Sequence, residues 1–253
     1  MSDKPRRPKC RVFLVGEGKQ DIGDLSEVPQ YRRGLEGFLQ PILRRLCGGV
    51  FDLEFEGAKI AQLPRTRVRS PARGLGRKAA QALALASELD CRALVFVADA
   101  DRSASKGATR HMKSCLKQIE NGFNQVNKGT RQVEPLTTIV AMACPMIEAW
   151  ALGDQGAVAA IASPSAPALE YRGSPESFWG AERDPDSNHP KRVLDRAIGR
   201  THTSADLAEI AEHAEIEAIE NSCPHSFAPF AHAVRRETQI CAATARASHR
   251  SNG

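Results

Sequence analysis

The chain has 253 residues, with 35 Lys or Arg against 30 Asp or Glu, and a formal net charge of +5. This length fits one large domain, or one domain with an elaborated half. No apolar run approaches the roughly 18 residues that a membrane-spanning helix needs, and no apolar signal core follows the basic N-terminus. We therefore expect no membrane partner and a cytoplasmic location.

The first half of the chain alternates between predicted strands and helices. Apolar or alternating runs predict strands at residues 11–15, 50–55, 93–98 and 136–143. Helical spacing predicts helices at residues 30–46, 75–89 and 105–126, and Pro145 is expected to start a short fourth helix. Pro41 should kink or split the first helix, and residues 62–74 read as a loop. This order predicts an α/β fold with a mostly parallel, Rossmann-like sheet flanked by helices.

The second half changes in character. Residues 156–179 show no clear period, whereas residues 190–198, 203–219 and 227–236 are predicted helices. Thr203 and Asp206 have the spacing of a capping box at the start of the second of these. We therefore expect a catalytic core at residues 9–155, a mostly helical C-terminal part at 156–240 packed on that core, and a flexible tail at 241–253.

The charged and sulfur-containing residues limit the kinds of site the chain can hold. Its seven cysteines form no CxxC pair, which argues against a zinc site and against a secreted disulfide framework. Residues 57–87 and 102–119 contain no acid, so their cations would create a field suited to nucleic acid. The candidate nucleic-acid-binding residues are Arg65, Arg67, Arg69, Arg73, Arg77, Lys78 and Arg102. The alternative is a solvated surface without a ligand.

Acidic residues follow two of the predicted strands. The first strand runs into Gly16-Glu17-Gly18-Lys19-Gln20-Asp21, and the third ends in Asp99-Ala100-Asp101. Carboxyl ends of parallel strands are where open α/β sheets bind ligands, and carboxylates are the ligands that Mg²⁺ prefers. The first segment lacks the spacing of a phosphate-binding loop. The alternative role for Asp99 is to cap the following helix.

Together these segments resemble the TOPRIM fold, which serves topoisomerases, primases and nucleases of the OLD (overcoming lysogenization defect) type. Three further segments are similar to small stand-alone bacterial TOPRIM-like proteins, which are often encoded beside an ABC- or SMC-type ATPase and are associated with phage defence. These segments are Pro145-Met146-Ile147-Glu148-Ala149-Trp150, His189-Pro190-Lys191-Arg192-Val193-Leu194 and Cys223-Pro224-His225-Ser226-Phe227. The resemblance covers most of residues 11–236.

The resemblance implies a metal-dependent nuclease that cleaves DNA or RNA and acts in antiviral defence with an ATPase partner. It implies Mg²⁺ or Mn²⁺ ligands and catalytic residues at specific positions. The implied metal ligands are Glu17, Asp21, Asp99 and Asp101, and the implied catalytic residues are Glu17, Asp99, Asp101, Glu148 and Lys191. Tyr31 and Tyr171 lie in no context that suggests a topoisomerase nucleophile.

Simpler explanations exist for several of these residues, and two other functions remain open. An acid such as Glu148 is stabilised by the helix dipole in any first turn, and the alternative for Lys191 is a surface lysine. Trp150 is expected in the core, and His189 before Pro190 fits a helix entrance. The chief alternative function is a non-catalytic TOPRIM-like subunit that binds nucleic acid or an ATPase. A phosphatase or nucleotidyl enzyme is a further alternative, although its D-x-D would usually follow the first strand.

Overall fold

A computed structural model of the chain describes residues 7–25, 36–64, 72–104, 106–127, 136–166, 171 and 173–251. The strands are β1 (Lys9–Gly16), β2 (Asp52–Lys59), β3 (Ala93–Asp99) and β4 (Thr137–Ala143). The helices are α1 (Lys19–Ile22), α2 (Leu39–Leu46), α3 (Gly74–Glu88), α4 (Lys106–Asn127), α5 (Ile147–Ala151), α6 (Gln155–Ile161), α7 (Pro190–Ile198), α8 (Ser204–His213), α9 (Ile216–Ser222) and α10 (Phe227–Ser251). Within these ranges, no helix has the length and hydropathy needed to cross a membrane.

The four strands form one parallel sheet in the order β2-β1-β3-β4. Helices cover both faces, so the predicted α/β fold with a helical C-terminal part is confirmed. Along β1, Val12 and Leu14 face a core formed with α2 and the helices after β4, whereas Phe13 and Val15 face α3 and α4. Because both faces are buried at the centre of the sheet, residues 12–15 of β1 and 93–98 of β3 are apolar at every position, whereas the edge strand β2 alternates apolar and charged residues.

The strand order reverses between β1 and β3. From β1 the chain crosses to β2 on one side, and it later adds β3 and β4 on the other. In open α/β sheets this reversal leaves a crevice at the carboxyl ends of the two diverging strands, and ligands bind there. The carboxyl ends of β1 and β3 carry Glu17 and Asp99, respectively.

Several predicted boundaries in the first half were wrong for local reasons. The described part of the first predicted helix begins only at Leu39, which puts Pro41 in the first turn, where its missing N–H is not needed and no kink follows. Pro145 does not start α5. That helix begins at Ile147, and the Pro145 carbonyl instead accepts a hydrogen bond from the Asp101 N–H at 3.0 Å.

The C-terminal half departs further from the prediction. The single helix expected at 203–219 is two helices, and the Glu215 N–H at the break donates to Asp154 Oδ2 at 2.7 Å. Asp154 also caps α6, which lies in the segment without a clear period. The last helix does not end near Arg236 but continues to Ser251, because residues 237–251 contain neither proline nor glycine.

Candidate active site at the carboxyl edge of the sheet

Acidic side chains from three neighbouring strand ends gather at the crevice. Glu17 and Asp21 follow β1, Asp99 ends β3, and Glu148 is the second residue of α5, directly after β4. Asp99 continues the alternation of Val95 and Val97, so it faces the layer that contains α5 and α7. It lies seven residues before the start of α4 and therefore does not cap that helix.

Asp21 is built into the turn after β1. Its side chain is buried, and its Oδ2 accepts the N–H of Glu17 at 2.6 Å and that of Gly18 at 3.2 Å. A Cβ on Gly16 would lie 2.7 Å from the Asp21 Cβ, so glycine at position 16 is needed for the close approach of Asp21 rather than of a ligand. Gly37 is under the same constraint, since its Cβ would lie 2.5 Å from the Asp21 carbonyl carbon.

Burial and neighbouring negative charges raise the pKa of Glu17, Asp21 and Asp99. Burial, followed by the charge of Glu148, raises the pKa of Asp21 to about 7. Burial and the charges of Asp21, Glu148, Glu17 and Asp101 raise the pKa of Asp99 well above its ordinary value. Glu17 is exposed to solvent, yet the protein atoms packed around its carboxyl and the charge of Asp101 raise its pKa as well. These side chains therefore form one coupled electrostatic group.

Asp101 occupies the outer rim. It is exposed and has a φ of +50°, a left-handed conformation that Asp adopts more readily than most non-glycine residues. Two backbone hydrogen bonds fix this turn, from the Ala100 N–H to the Ala143 carbonyl and from the Asp101 N–H to the Pro145 carbonyl, at 2.8 and 3.0 Å. The D-x-D turn is thus attached to the loop between β4 and α5.

Glu148 is held by a histidine that the sequence did not reveal. His202 Nε2 lies 3.4 Å from Glu148 Oε1, and His202 Nδ1 lies 2.7 Å from Asp195 Oδ1. Burial alone would lower the pKa of His202, but its hydrogen bonds to Glu148 and Asp195, together with their charges, raise it above the ordinary value. No motif or spacing links position 202 to position 148, because the contact depends on how α7 and α8 pack on α5.

Lys191 supplies positive charge from the first turn of α7. Its side chain is half-buried, and its Nζ lies 3.2 Å from Glu182 Oε1. Burial would lower the pKa of Lys191, but the charges of Glu148, Glu182 and Asp99 raise it. Lys191 is therefore a cation within electrostatic reach of the acid cluster rather than an isolated surface lysine.

A buried hydrogen-bond network explains the two segments around Trp150 and Ser226. Ser226 Oγ accepts from Trp150 Nε1 at 2.6 Å, and the Ser226 N–H donates to the buried Glu176 at 2.6 Å. Trp150 is fully buried, as predicted, and stacks on Phe230 with ring centroids 5.3 Å apart. The network fixes α5, and with it Glu148, against the C-terminal helices.

The predicted nucleic-acid-binding residues fall into three groups: those outside the described residues, exposed arginines, and a lysine that is bound to the protein backbone. Arg65, Arg67 and Arg69 lie outside the described residues, whereas Arg73, Arg77 and Arg102 are exposed. The C-terminal end of α3 lies at the amino edge of the sheet, where Arg11 Nη1 donates to the Leu89 carbonyl at 2.9 Å. The N-terminal turn of α3, which carries Arg77, therefore lies toward the carboxyl edge, where the acids are. Lys78 Nζ donates to the Leu63 carbonyl at 3.3 Å and so holds the segment after β2 in place.

The residues fit a divalent cation in chemistry but do not form a closed set of ligands. Carboxylate oxygens are the donors that Mg²⁺ and Mn²⁺ prefer, and a cation would relieve the repulsion that raises the pKa values of these acids. In the described ranges, however, no three Asp, Glu, His or Cys side chains converge closely enough to surround one ion.

Comparison with protein-family models, curated proteins and solved structures gave no match for the chain.

Proposed function

We propose that the chain is a Mg²⁺- or Mn²⁺-dependent phosphodiesterase that hydrolyses nucleic acid. One observation carries the proposal: Asp21, Asp99 and Glu148, which follow three neighbouring strands, are grouped at the reversal of the strand order, where burial and the charge of Glu148 raise the pKa of both aspartates. Such a group is unfavourable to folding unless it serves a ligand, because each buried carboxylate opposes ionisation of the next.

The acids divide into an inner and an outer set. Asp21 and Asp99 are the inner carboxylates and would hold the cation, while Glu17 and Asp101 are exposed at the rim, where substrate approaches. A bound divalent cation lowers the pKa of a water ligand and offsets negative charge on a phosphate. Binding the cation requires Asp21 and Asp99 to lose any proton that their raised pKa values retain, so we expect activity to rise with pH through neutrality.

Glu148 and Lys191 would act beside these ligands. His202 holds one Glu148 oxygen and so fixes the direction of the carboxyl group, which suits a role in orienting the attacking water. Lys191 is charged and lies within the field of Asp99 and Glu148, so it is placed to neutralise a phosphate between them. Exposed Arg73, Arg77 and Arg102 would contact the nucleic-acid backbone without reading its sequence.

The acid cluster favours hydrolysis over the alternative of a non-catalytic binding subunit. A module that only binds a polyanion gains nothing from buried carboxylates at its centre, because they repel the phosphate. Cleavage of single-stranded and duplex DNA and RNA by the purified chain, with Mn²⁺ or with EDTA, tests the proposal directly. Metal-dependent cleavage by the parent and its loss in Asp99→Asn are expected. The ATPase partner and the role in antiviral defence stay predictions from the resemblance.

A further inference from the structure

Trp179 presents an aromatic face to solvent close to the start of α7, the helix that carries Lys191. It is 47% exposed, and it is the one aromatic among the three exposed large hydrophobic side chains in the described part of the chain. Its ring lies against that of His189, with centroids 6.2 Å apart.

The segment that carries Trp179 is attached to the D-x-D turn. The Ala104 N–H donates to the Glu176 carbonyl at 2.7 Å, which joins a residue three positions after Asp101 to one three positions before Trp179. Phe178, the neighbour of Trp179, is buried and packs edge-on against Tyr171 with centroids 5.2 Å apart. The backbone therefore connects the segment that carries Trp179 to the segment that follows the D-x-D turn.

The loop after Trp179 is held firmly on α7. Ser187 Oγ donates to the Ala181 carbonyl at 2.7 Å, and Arg196 Nη1 donates to the Ser187 carbonyl at 2.9 Å. A Cβ on Gly180 would lie 3.1 Å from the His189 nitrogen, so the chain passes directly over the start of α7. Trp179 thus keeps its exposed position without needing to be ordered by a ligand, which reduces the entropic cost of binding.

His189 adds an unsatisfied polar atom beneath the indole. It is buried, and its Nδ1 has no hydrogen-bond partner in the part of the chain that the structure describes. Two residues later, Lys191 brings positive charge toward Asp99 and Glu148. An aromatic face, an unpaired imidazole nitrogen and a cation thus lie close together at the start of α7. This combination matches a nucleotide, which offers a π-face, polar base edges and a phosphate.

We propose that Trp179 is a stacking platform for an unpaired nucleobase, so that the chain takes single-stranded or locally unpaired nucleic acid in preference to an intact duplex. The proposal rests on the proposed nuclease function, since it assigns the substrate class of that same site. In a duplex the bases are stacked on each other, and none is free to cover the indole. The phosphate beside a stacked base would lie toward Lys191.

The two tryptophans of the chain allow stacking of a base on Trp179 to be measured by fluorescence. Trp150 is fully buried and Trp179 is exposed, so quenching of tryptophan emission by an added oligonucleotide reports on Trp179. We would titrate the full chain in EDTA, which prevents cleavage, with single-stranded DNA, RNA, the matching duplex and an abasic strand of equal length. Single-stranded DNA and RNA should both quench the emission. The abasic strand has the same phosphates but no bases and should not.

Variants test whether the aromatic ring of Trp179 contributes to binding. The affinity of each variant for a labelled single strand is measured by fluorescence anisotropy. Trp179→Ala should weaken single-strand binding by roughly 5- to 100-fold, the range expected for one lost stacking contact. Trp179→Phe keeps an aromatic face and should bind within about threefold of the parent, with the quenching lost. Val50→Ala removes another exposed apolar side chain, one that precedes β2 at the opposite edge of the sheet, and should change nothing.

Equal affinity of the parent and Trp179→Ala, or equal quenching by the abasic strand, would overturn the proposal and leave Trp179 as a contact for a protein partner. Binding in EDTA is independent of hydrolysis, so the two proposals fail separately. A parent that cleaves while Trp179→Ala binds normally refutes stacking alone. Weakened binding by Trp179→Ala in a chain that never cleaves refutes hydrolysis alone.

Discussion

His202 bridges two acids that are distant in sequence: its Nε2 lies 3.4 Å from Glu148 Oε1, and its Nδ1 lies 2.7 Å from Asp195 Oδ1. The bridge joins α5, which follows the last strand, to the C-terminal helix α7. It fixes a buried carboxyl group of the candidate active site through a residue that is itself buried. His202 is therefore a positioning residue, and its replacement should alter both stability and activity.

We expect His202→Ala to lower the free energy of unfolding by about 1–3 kcal/mol, because Glu148 and Asp195 lose a buried partner. The folded pKa of His202 is raised above its ordinary value of 6.5, so its ionic contribution is complete below that pH and is lost as pH rises through the folded pKa. Chemical denaturation at pH 6 and pH 9 should therefore show the larger deficit at pH 6. His213→Ala, at an exposed site on α8, is the control. A deficit that grows toward pH 9 would contradict this account.

Asp21→Asn should be at least as stable as the parent at pH 8. The pKa of Asp21 is raised from 3.8 to about 7, so the folded state holds a proton that the unfolded state has released, and parent stability falls as pH rises through this window. The amide oxygen of Asn can accept both backbone N–H groups, because both donate to one oxygen of Asp21. The gain over the parent is at most about 4 kcal/mol.

Thermal denaturation at pH 5 and pH 8, with and without Mg²⁺, checks this prediction. The advantage of Asp21→Asn should be larger at pH 8. Mg²⁺ should raise the melting temperature of the parent more than that of the variant, because binding to the folded state alone stabilises it. A variant clearly less stable than the parent at pH 8 would show that the Asp21 charge supports the fold.

Arg73→Ala should weaken nucleic-acid binding and flatten its salt dependence. Each lost phosphate contact reduces the slope of log affinity against log salt by about 0.7–0.9. Arg236→Ala is the matched control: it also removes one exposed arginine, but from α10, on which Cys241 contacts Thr137 at the start of β4. The triple replacement of Arg67, Arg69 and Arg73 should show a larger effect, with metal binding retained. Equal slopes for Arg73→Ala and Arg236→Ala would assign Arg73 to another role.

The sheet was predictable because its strands are short apolar or alternating runs with clear ends, and Glu17, Asp99 and Asp101 were predictable because they stand at or just after those ends. Asp99 needed no tertiary information, since any residue after β3 falls at the carboxyl edge of a parallel sheet. His202 and Trp179 could not be found in this way, because neither lies on a strand end or at a recognisable spacing. The division between α8 and α9 depends on the Asp154 carboxylate, a contact across 61 residues.

Cleavage of a single-stranded oligonucleotide, comparing the parent with Asp99→Asn in Mn²⁺ and in EDTA, tests the central claim most directly. Asn keeps the size of the side chain and removes the charge, so circular dichroism and the melting temperature should show that the variant folds. The account predicts cleavage by the parent in Mn²⁺ alone and at least a hundredfold loss in Asp99→Asn, on the order of what one essential catalytic group contributes. Cleavage that continues undiminished in EDTA or in Asp99→Asn would contradict it, as would a parent that binds Mn²⁺ and cleaves nothing.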